Sequence, residues 1–196
     1  MLRTKSLISE WRELLSKDSG SFAFPKETVN KGEYGEYRMK NTTLCYIEKD
    51  GKYLMLLRNK KEADENKNKW IGVGGKFEEG ESPEECVVRE TLEETGFMLT
   101  DYRLRGIVTF VSDQWGTEYM YLFTATGFEG ELADEMSVEC PEGELKWIDK
   151  DRITSLNIWE GDRAFLELLA NDSPFFTMKL LYKGDDLVDI NTRVYD

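Results

Sequence analysis

Past residue 38, alternating apolar and polar positions come first in this chain, and helical spacing comes later. Thr42 to Ile47 and Tyr53 to Leu57 are β-rich runs on either side of Lys49-Asp50-Gly51, and Asp-Gly between such runs predicts a hairpin. Arg58 to Lys69 is a charged loop, and Trp70 to Lys76 carries a short strand. Then the signals turn helical. Ser82 suits an N-cap, Pro83 the first helical position and Glu85 the reciprocal carboxylate of a capping box. Gly96 suits the residue just past the end, so a helix is predicted over Pro83–Thr95. Ile107 to Val111, Tyr119 to Thr126 and Glu144 to Ile148 read as further strands. Trp159 to Leu169 reads as a second helix with Phe165, Leu166, Leu168 and Leu169 on its buried side. A hairpin closes the chain, Phe176 to Tyr182 and Leu187 to Val194, turned by Lys183-Gly184-Asp185-Asp186. Strands mixed with two helices predict an α/β fold, an α/β/α sandwich around a mixed sheet.

The first 38 residues differ from the rest. Leu7, Ile8, Trp11, Leu14 and Leu15 give one apolar face at helical spacing, followed by a polar connector to Arg38. Residues 1–38 are read as an N-terminal helical extension that docks on the core or on a dimer partner, with the domain proper at 39–196.

Composition narrows the function classes. A chain of 196 residues supports one domain with a real core. A net charge of −13 argues against binding a nucleic-acid polymer through its phosphates, which requires basic patches. No apolar run is long enough to span a membrane. Cys45, Cys86 and Cys140 are odd in number and lack metal-ligand spacing, so three reduced thiols and a cytoplasmic protein are expected. The chain contains no histidine, which leaves carboxylates as the acid–base groups near neutral pH.

Those carboxylates cluster. Glu90, Glu93 and Glu94 are spaced i, i+3, i+4, which puts them on one face of the predicted helix. Like charges there cost about 0.2–0.5 kcal/mol per pair, and Glu93 and Glu94 also sit at the negative end of the helix dipole. That is a poor way to stabilise a helix and a good way to hold a hard divalent cation, which wants carboxylate oxygens. The flanking residues extend the pattern. Gly75, Glu81, Arg89, Glu90, Glu93, Glu94 and Gly96 fit G-x5-E-x7-R-E-U-x-E-E-x-G-U, with U a bulky apolar residue. Seven fixed positions match by chance on the order of once in 10⁸–10⁹ starts, so the agreement is specific. The chain resembles the Nudix hydrolases. One position departs: the first U is Thr91, expected to face the hydrophobic side with Val88 and Leu92 and to cost some packing but no chemistry.

The resemblance implies the Nudix sandwich and metal-dependent hydrolysis of a nucleoside diphosphate linked to another group. It implies that Glu93 and Glu94 ligate Mg²⁺ (or Mn²⁺) with help from the Gly75 carbonyl. Glu90 is a further ligand or the base that takes the water proton, and Arg89 orients Glu90. Glu81 supports the loop or an outer metal. A later carboxylate, Glu142 or Glu144, is expected to join. Gly74 and Lys76 read as a phosphate-facing turn, and Arg58 as a candidate phosphate contact.

Within the family, WIGVGGKFEEGES resembles the loops of MutT-type 8-oxo-dGTP diphosphatases. Trp159 and Asp162 lie where such enzymes read the base, and the closing hairpin is similar to theirs. Two positions depart from the mammalian pattern: Ile71 stands where an Asn follows the loop Trp, and Gly161 precedes Asp162 where two Asp follow the later Trp. The competing reading makes Trp159 core and Asp162 a helix cap. The expected function is hydrolysis of a nucleoside triphosphate, 8-oxo-dGTP, to monophosphate and pyrophosphate. Alternatives are another nucleoside diphosphate derivative or a nucleotide sensor that does not cleave. The partner is a small nucleotide, with a homodimer left open.

Overall fold

The computed structural model describes residues 39–132 and 138–195. The helix expected within residues 1–38 lies outside the described residues.

The first hairpin forms as its Asp-Gly predicts. Strands β1 (Lys40–Lys49) and β2 (Lys52–Leu57) pair antiparallel from Lys49↔Lys52. Asp50 and Gly51 both have positive φ, 50° and 76°, as a type I′ turn requires. The strands stay paired only next to the turn, from Lys49↔Lys52 to Ile47↔Leu54. Beyond that they part, and the segment from Trp70 fills the gap between them. Its strand β3 is just Trp70–Ile71, paired with β2. After β3 the segment bonds to β1: Cys45 and Val73 exchange N–H···O bonds, and the Thr43 N–H donates to the Gly75 carbonyl at 2.8 Å. The strand expected through Lys76 is therefore shorter, because the chain changes partners at its glycines. Gly74 has φ 151°, and a Cβ there would lie 2.2 Å from the Thr43 carbonyl oxygen.

Helix α1 (Pro83–Thr95) has the expected bounds and caps. Ser82 and Glu85 make the reciprocal capping box, Pro83 opens the helix, and Gly96 ends it at φ 76°. The expected apolar face needs correction. Leu92 is 42% exposed, and Thr91 shares the buried side with Cys86, Val87 and Glu94. Position 91 lies one turn from Val87, so it shares that face, whereas position 92 rotates out to solvent. Thr91 is fully buried, and its hydroxyl has no hydrogen-bond partner among the described residues.

Strand β4 (Met98–Ser112) starts well before the expected Ile107 and pairs with β5 (Gly116–Glu129). Asp101, Arg103 and Arg105 and the register shifts between Leu99 and Gly106 break the alternation there, which hid the strand. Strands β6 (Val138–Cys140) and β7 (Gly143–Asp149) follow, then a 3₁₀ helix over Lys150–Ser155. Helix α2 is Glu160–Ala170, with Phe165, Leu166 and Leu169 buried. The closing hairpin is β8 (Phe176–Lys183) and β9 (Asp186–Val194).

One mixed sheet results, in the order β6-β7-β2-β1-β5-β4-β8-β9, with β3 beside β2. The β1–β5 and β4–β8 pairs are parallel. On β1, Thr43 Oγ1 lies 3.5 Å from Cys86 Sγ of α1, while the Tyr46 ring meets Phe165 of α2 with centroids 6.1 Å apart. Positions 43 and 46 point to opposite faces of a strand. The helices therefore sandwich the sheet, one on each side, as the pattern predicts. Cys45, Cys86 and Cys140 are buried free thiols. Among the described residues, no helix is long and apolar enough to cross a membrane.

Candidate active site

Arg89 is the node of the site. Its guanidinium donates to both oxygens of Glu81 (2.6 and 2.9 Å), to Glu90 (2.9 Å), to Glu93 (3.2 Å) and to the Lys76 carbonyl (3.0 Å). The planar fork thus ties the loop before α1 to two of the helix carboxylates. Glu81 also accepts the Glu78 N–H, and with Arg89 this holds its carboxyl down at about 2. Its partners raise Arg89 further.

The two glycines act on protein groups. Gly74 gives its N–H to Glu94 Oε2 at 3.0 Å and lets the loop lie against β1. A Cβ on Gly75 would sit 2.4 Å from the Glu90 carboxyl, so Gly75 makes room for that side chain. Within the turn expected to face phosphate, the Gly74 N–H is thus directed at Glu94. The Gly75 carbonyl likewise accepts from Thr43, with a longer contact to Cys86 Sγ at 3.7 Å.

The helix carboxylates lie on one side but differ in setting. Glu93 is 60% exposed at its side chain, and Glu90 is mostly covered. Glu94 is 8% exposed. Burial pushes the Glu94 carboxyl up to about 7, and the nearby Glu90 charge adds to this; the Gly74 N–H, Arg58 and Lys61 work against it. Arg89 draws Glu90 and Glu93 to one nitrogen while Glu94 turns to Gly74, so no three described carboxylates converge on one point. The donor set still fits a hard cation: the groups are oxygen-only, and a buried carboxylate beside a like charge gains from a neutralising ion.

A polar cavity of about 300 Å³ opens beside these groups, walled in part by Gly74, Gly75, Lys76, Glu90, Arg58 and Glu142. Of the two later candidates, Glu142 reaches the cavity. Glu144 accepts from Asn59 instead and lies off its wall; Glu142 stands in the turn between β6 and β7, while Glu144 is already in β7. Glu142 is paired with Arg58 and Lys61, and Arg58 also holds Asp64 at 2.8 Å. Arg58 is thus at the cavity, but tied into ion pairs.

A narrow apolar pocket of about 40 Å³ adjoins it, with Leu44, Ile71, Phe110, Met120, Trp159 and Asp162 in its wall. The Trp159 indole N–H donates to Asn66 Oδ1 at 2.8 Å, and Lys69 Nζ sits 4.1 Å from the ring centre. Trp159 is the N-cap residue of α2, with no side-chain cap bond, and Asp162 is the third helical residue. Burial pushes the Asp162 carboxyl up to about 7, against the pull of Lys69 and Arg163. The Gly161 N–H donates to the Tyr182 hydroxyl at 2.8 Å, and a Cβ there would lie 2.6 Å from Leu180, so a second Asp at that position would require Leu180 and Tyr182 to shift.

Sequence reasoning missed Glu118, which walls both cavities. Its signal was period two on β5: Glu118, Met120 and Leu122 share a face, and the last is fully buried. Thr42 Oγ1 donates to Glu118 Oε1 at 2.6 Å.

The family model for the NUDIX domain matches residues 38–169. An uncharacterized Nudix hydrolase of Bacillus subtilis, YvcI, is 31% identical over 135 residues, 67% of this chain and 79% of that protein. The oxidized purine nucleoside triphosphate hydrolase of Danio rerio is 28% identical over 156 residues, 78% of this chain and 92% of that protein. The crystal structure of a mutator MutT protein from Bacillus halodurans superposes with a TM-score of 0.68 at 27% identity, covering 79% of this chain and 97% of that one. With the matched region spanning most of the sheet and all of the Arg89 carboxylate cluster, the chain belongs to the Nudix hydrolase family.

Proposed function

We propose that the protein hydrolyses an oxidised purine nucleoside triphosphate, 8-oxo-dGTP, to monophosphate and pyrophosphate with Mg²⁺ (or Mn²⁺). The observation that carries this reading is Asp162: a carboxyl buried in the wall of an apolar pocket that adjoins the carboxylate cavity, where burial pushes it up to about 7. A carboxyl near half-protonation both donates and accepts, which suits the edge of an altered purine. The Danio rerio relative, named for oxidised purine triphosphates, supports the same class. The pocket at rest is smaller than a purine, so a base enters by moving wall residues, with Met120 and Asn66 shared between the two cavities.

In this reading the triphosphate lies in the polar cavity, where it competes with Glu142 for Arg58 and Lys61, while Lys76 adds charge. Glu90, Glu93 and Glu94 would hold the cation, and the Gly75 carbonyl, which accepts one N–H from Thr43, would keep a second lone pair for it. When bound, such an ion neutralises phosphate oxygens and lowers the pKa of water. Arg89 fixes Glu90 over Gly75, where Glu90 takes the proton of the attacking water. Water adds to phosphorus, and the P–O bond between the monophosphate and pyrophosphate parts breaks.

The test is a screen of the purified protein with Mg²⁺ against normal and oxidised nucleoside triphosphates, ADP-ribose, dinucleoside polyphosphates and nucleotide sugars. Pyrophosphate release with the highest kcat/KM on an oxidised purine is expected. A preference for any diphosphate-linked compound overturns the substrate assignment, and nucleotide binding without turnover overturns the reaction.

A further inference from the structure

The apolar pocket and the polar cavity share a wall made of Glu65, Asn66, Ile71, Glu118 and Met120. If the base fills one cavity and the phosphates the other, as in the reading above, the sugar must cross that wall. Three of the five residues are polar, and two of those are engaged. Lys40 Nζ binds both oxygens of Glu65, at 3.2 and 3.0 Å, and Asn66 Oδ1 accepts the Trp159 indole N–H. Glu118 differs. Only its Oε1 carries a hydrogen bond among the described residues, from Thr42. Oε2 is left to accept a proton from the cleft. The residue stands on β5 opposite Phe110 of β4, so apolar surface flanks it on the base side. A carboxylate there needs a donor once water is displaced, and it repels phosphate.

We propose that Glu118 is a specificity-determining residue whose carboxylate accepts a hydrogen bond from the 3′-hydroxyl of the nucleotide sugar. The site then selects nucleotides with a free 3′-hydroxyl, ribo or 2′-deoxy, and rejects 2′,3′-dideoxy forms. This inference rests on the nucleotide reading but has its own failure mode.

The experiment is calorimetric binding of guanosine, 2′-deoxyguanosine and 2′,3′-dideoxyguanosine 5′-monophosphates to the full chain. Wild type is expected to bind the 2′-deoxy form about tenfold tighter than the dideoxy form, the worth of one hydrogen bond to a charged group. Glu118→Leu should bring that ratio close to one. Glu118→Gln keeps the shape and a neutral acceptor, and should lower the ratio several-fold even if the leucine variant folds poorly. An unchanged ratio in the variants, or no preference in wild type, overturns the proposal. Absence of binding by any nucleotide overturns the nucleotide reading with it. Triphosphate hydrolysis alongside sugar-blind binding overturns the Glu118 assignment alone.

Discussion

The backbone N–H of Gly74 donates to the Glu94 carboxylate at 3.0 Å, the one hydrogen bond that this buried group receives among the described residues. It does not offset burial, and the folded carboxyl titrates near 7 against an ordinary 4.5. The folded state therefore keeps a proton that the unfolded chain releases. Stability from this group is fully present below 4.5 and lost as pH rises through 7. Asp162 acts with the same sign, from 3.8 to about 7. In EDTA, Tm should fall between pH 5 and pH 8. Glu94→Gln, which still accepts from Gly74, should flatten part of that fall and raise Tm at pH 8. Its hydrolysis with Mg²⁺ should drop by at least roughly a hundredfold, the upper end of what losing an outer-shell partner costs a metal site. A slope equal to wild type, or near-normal turnover, would end the assignment.

Arg89→Lys should be costly although the charge is kept. One ammonium cannot reproduce the fork that spans Glu81, Glu90, Glu93 and the Lys76 carbonyl. A kcat loss of roughly 10–100-fold is expected, with KM for substrate changed less. Glu93→Gln, at a mostly exposed group, should lose activity with Tm unchanged. Steady-state kinetics with a metal titration checks both. A pure KM effect in Arg89→Lys would show that Arg89 serves binding rather than positioning.

Asp162→Ala should separate base reading from a helix role. Asp162 stands inside the first turn of α2 and is not its N-cap residue, so the helix loses little. The kcat/KM for the preferred oxidised purine should fall much more than for a poor substrate, because a buried partner of the base is left unpaired. Equal losses across substrates would remove the residue-level support for an oxidised purine.

Thr91→Val should stabilise the protein. The Thr91 hydroxyl is buried without a partner among the described residues, and such a group costs about 1–3 kcal/mol, while valine keeps the shape. Each kcal/mol is worth about 2–4 °C in Tm at this size. Thermal melting decides it, and a lower Tm would mean that the hydroxyl has a partner in solution.

A chain that begins at Met39 should fold and remain active, since the family match starts at residue 38 and the sheet at Lys40. Solubility and turnover of the shortened chain check this. An insoluble or inactive product would show that residues 1–38 complete the core.

Much of this was legible in the residues, for physical reasons. Helix α1 carries its own caps, so Ser82, Pro83, Glu85 and Gly96 mark its limits without help from the rest of the fold. Asp50-Gly51 likewise sets its own turn. What sequence could not give was partner-dependent. The early half of β4 is charged and bulged, and becomes strand because β5 is there to bond it. Glu144 and Glu142 look alike in a row of letters, but only the latter meets Arg58 and Lys61 at the cavity. The glycine pair suggested phosphate, whereas the folded chain uses both residues to seat Glu94 and Glu90.

The parallel pairing of β1 with β5 bears on how the protein is made. Thr42 and Glu118, joined across that ladder, are 76 residues apart in the chain. Synthesis at about 5–20 residues per second leaves roughly 4–15 s between them. During that interval Leu44, Tyr46 and Ile47 have left the ribosome without the strand that covers one edge of β1. The β1–β2 hairpin can close early, but the wall between the two cavities cannot. The nascent chain thus holds a strand with one edge unpaired for seconds, an exposure that the late arrival of β5 ends.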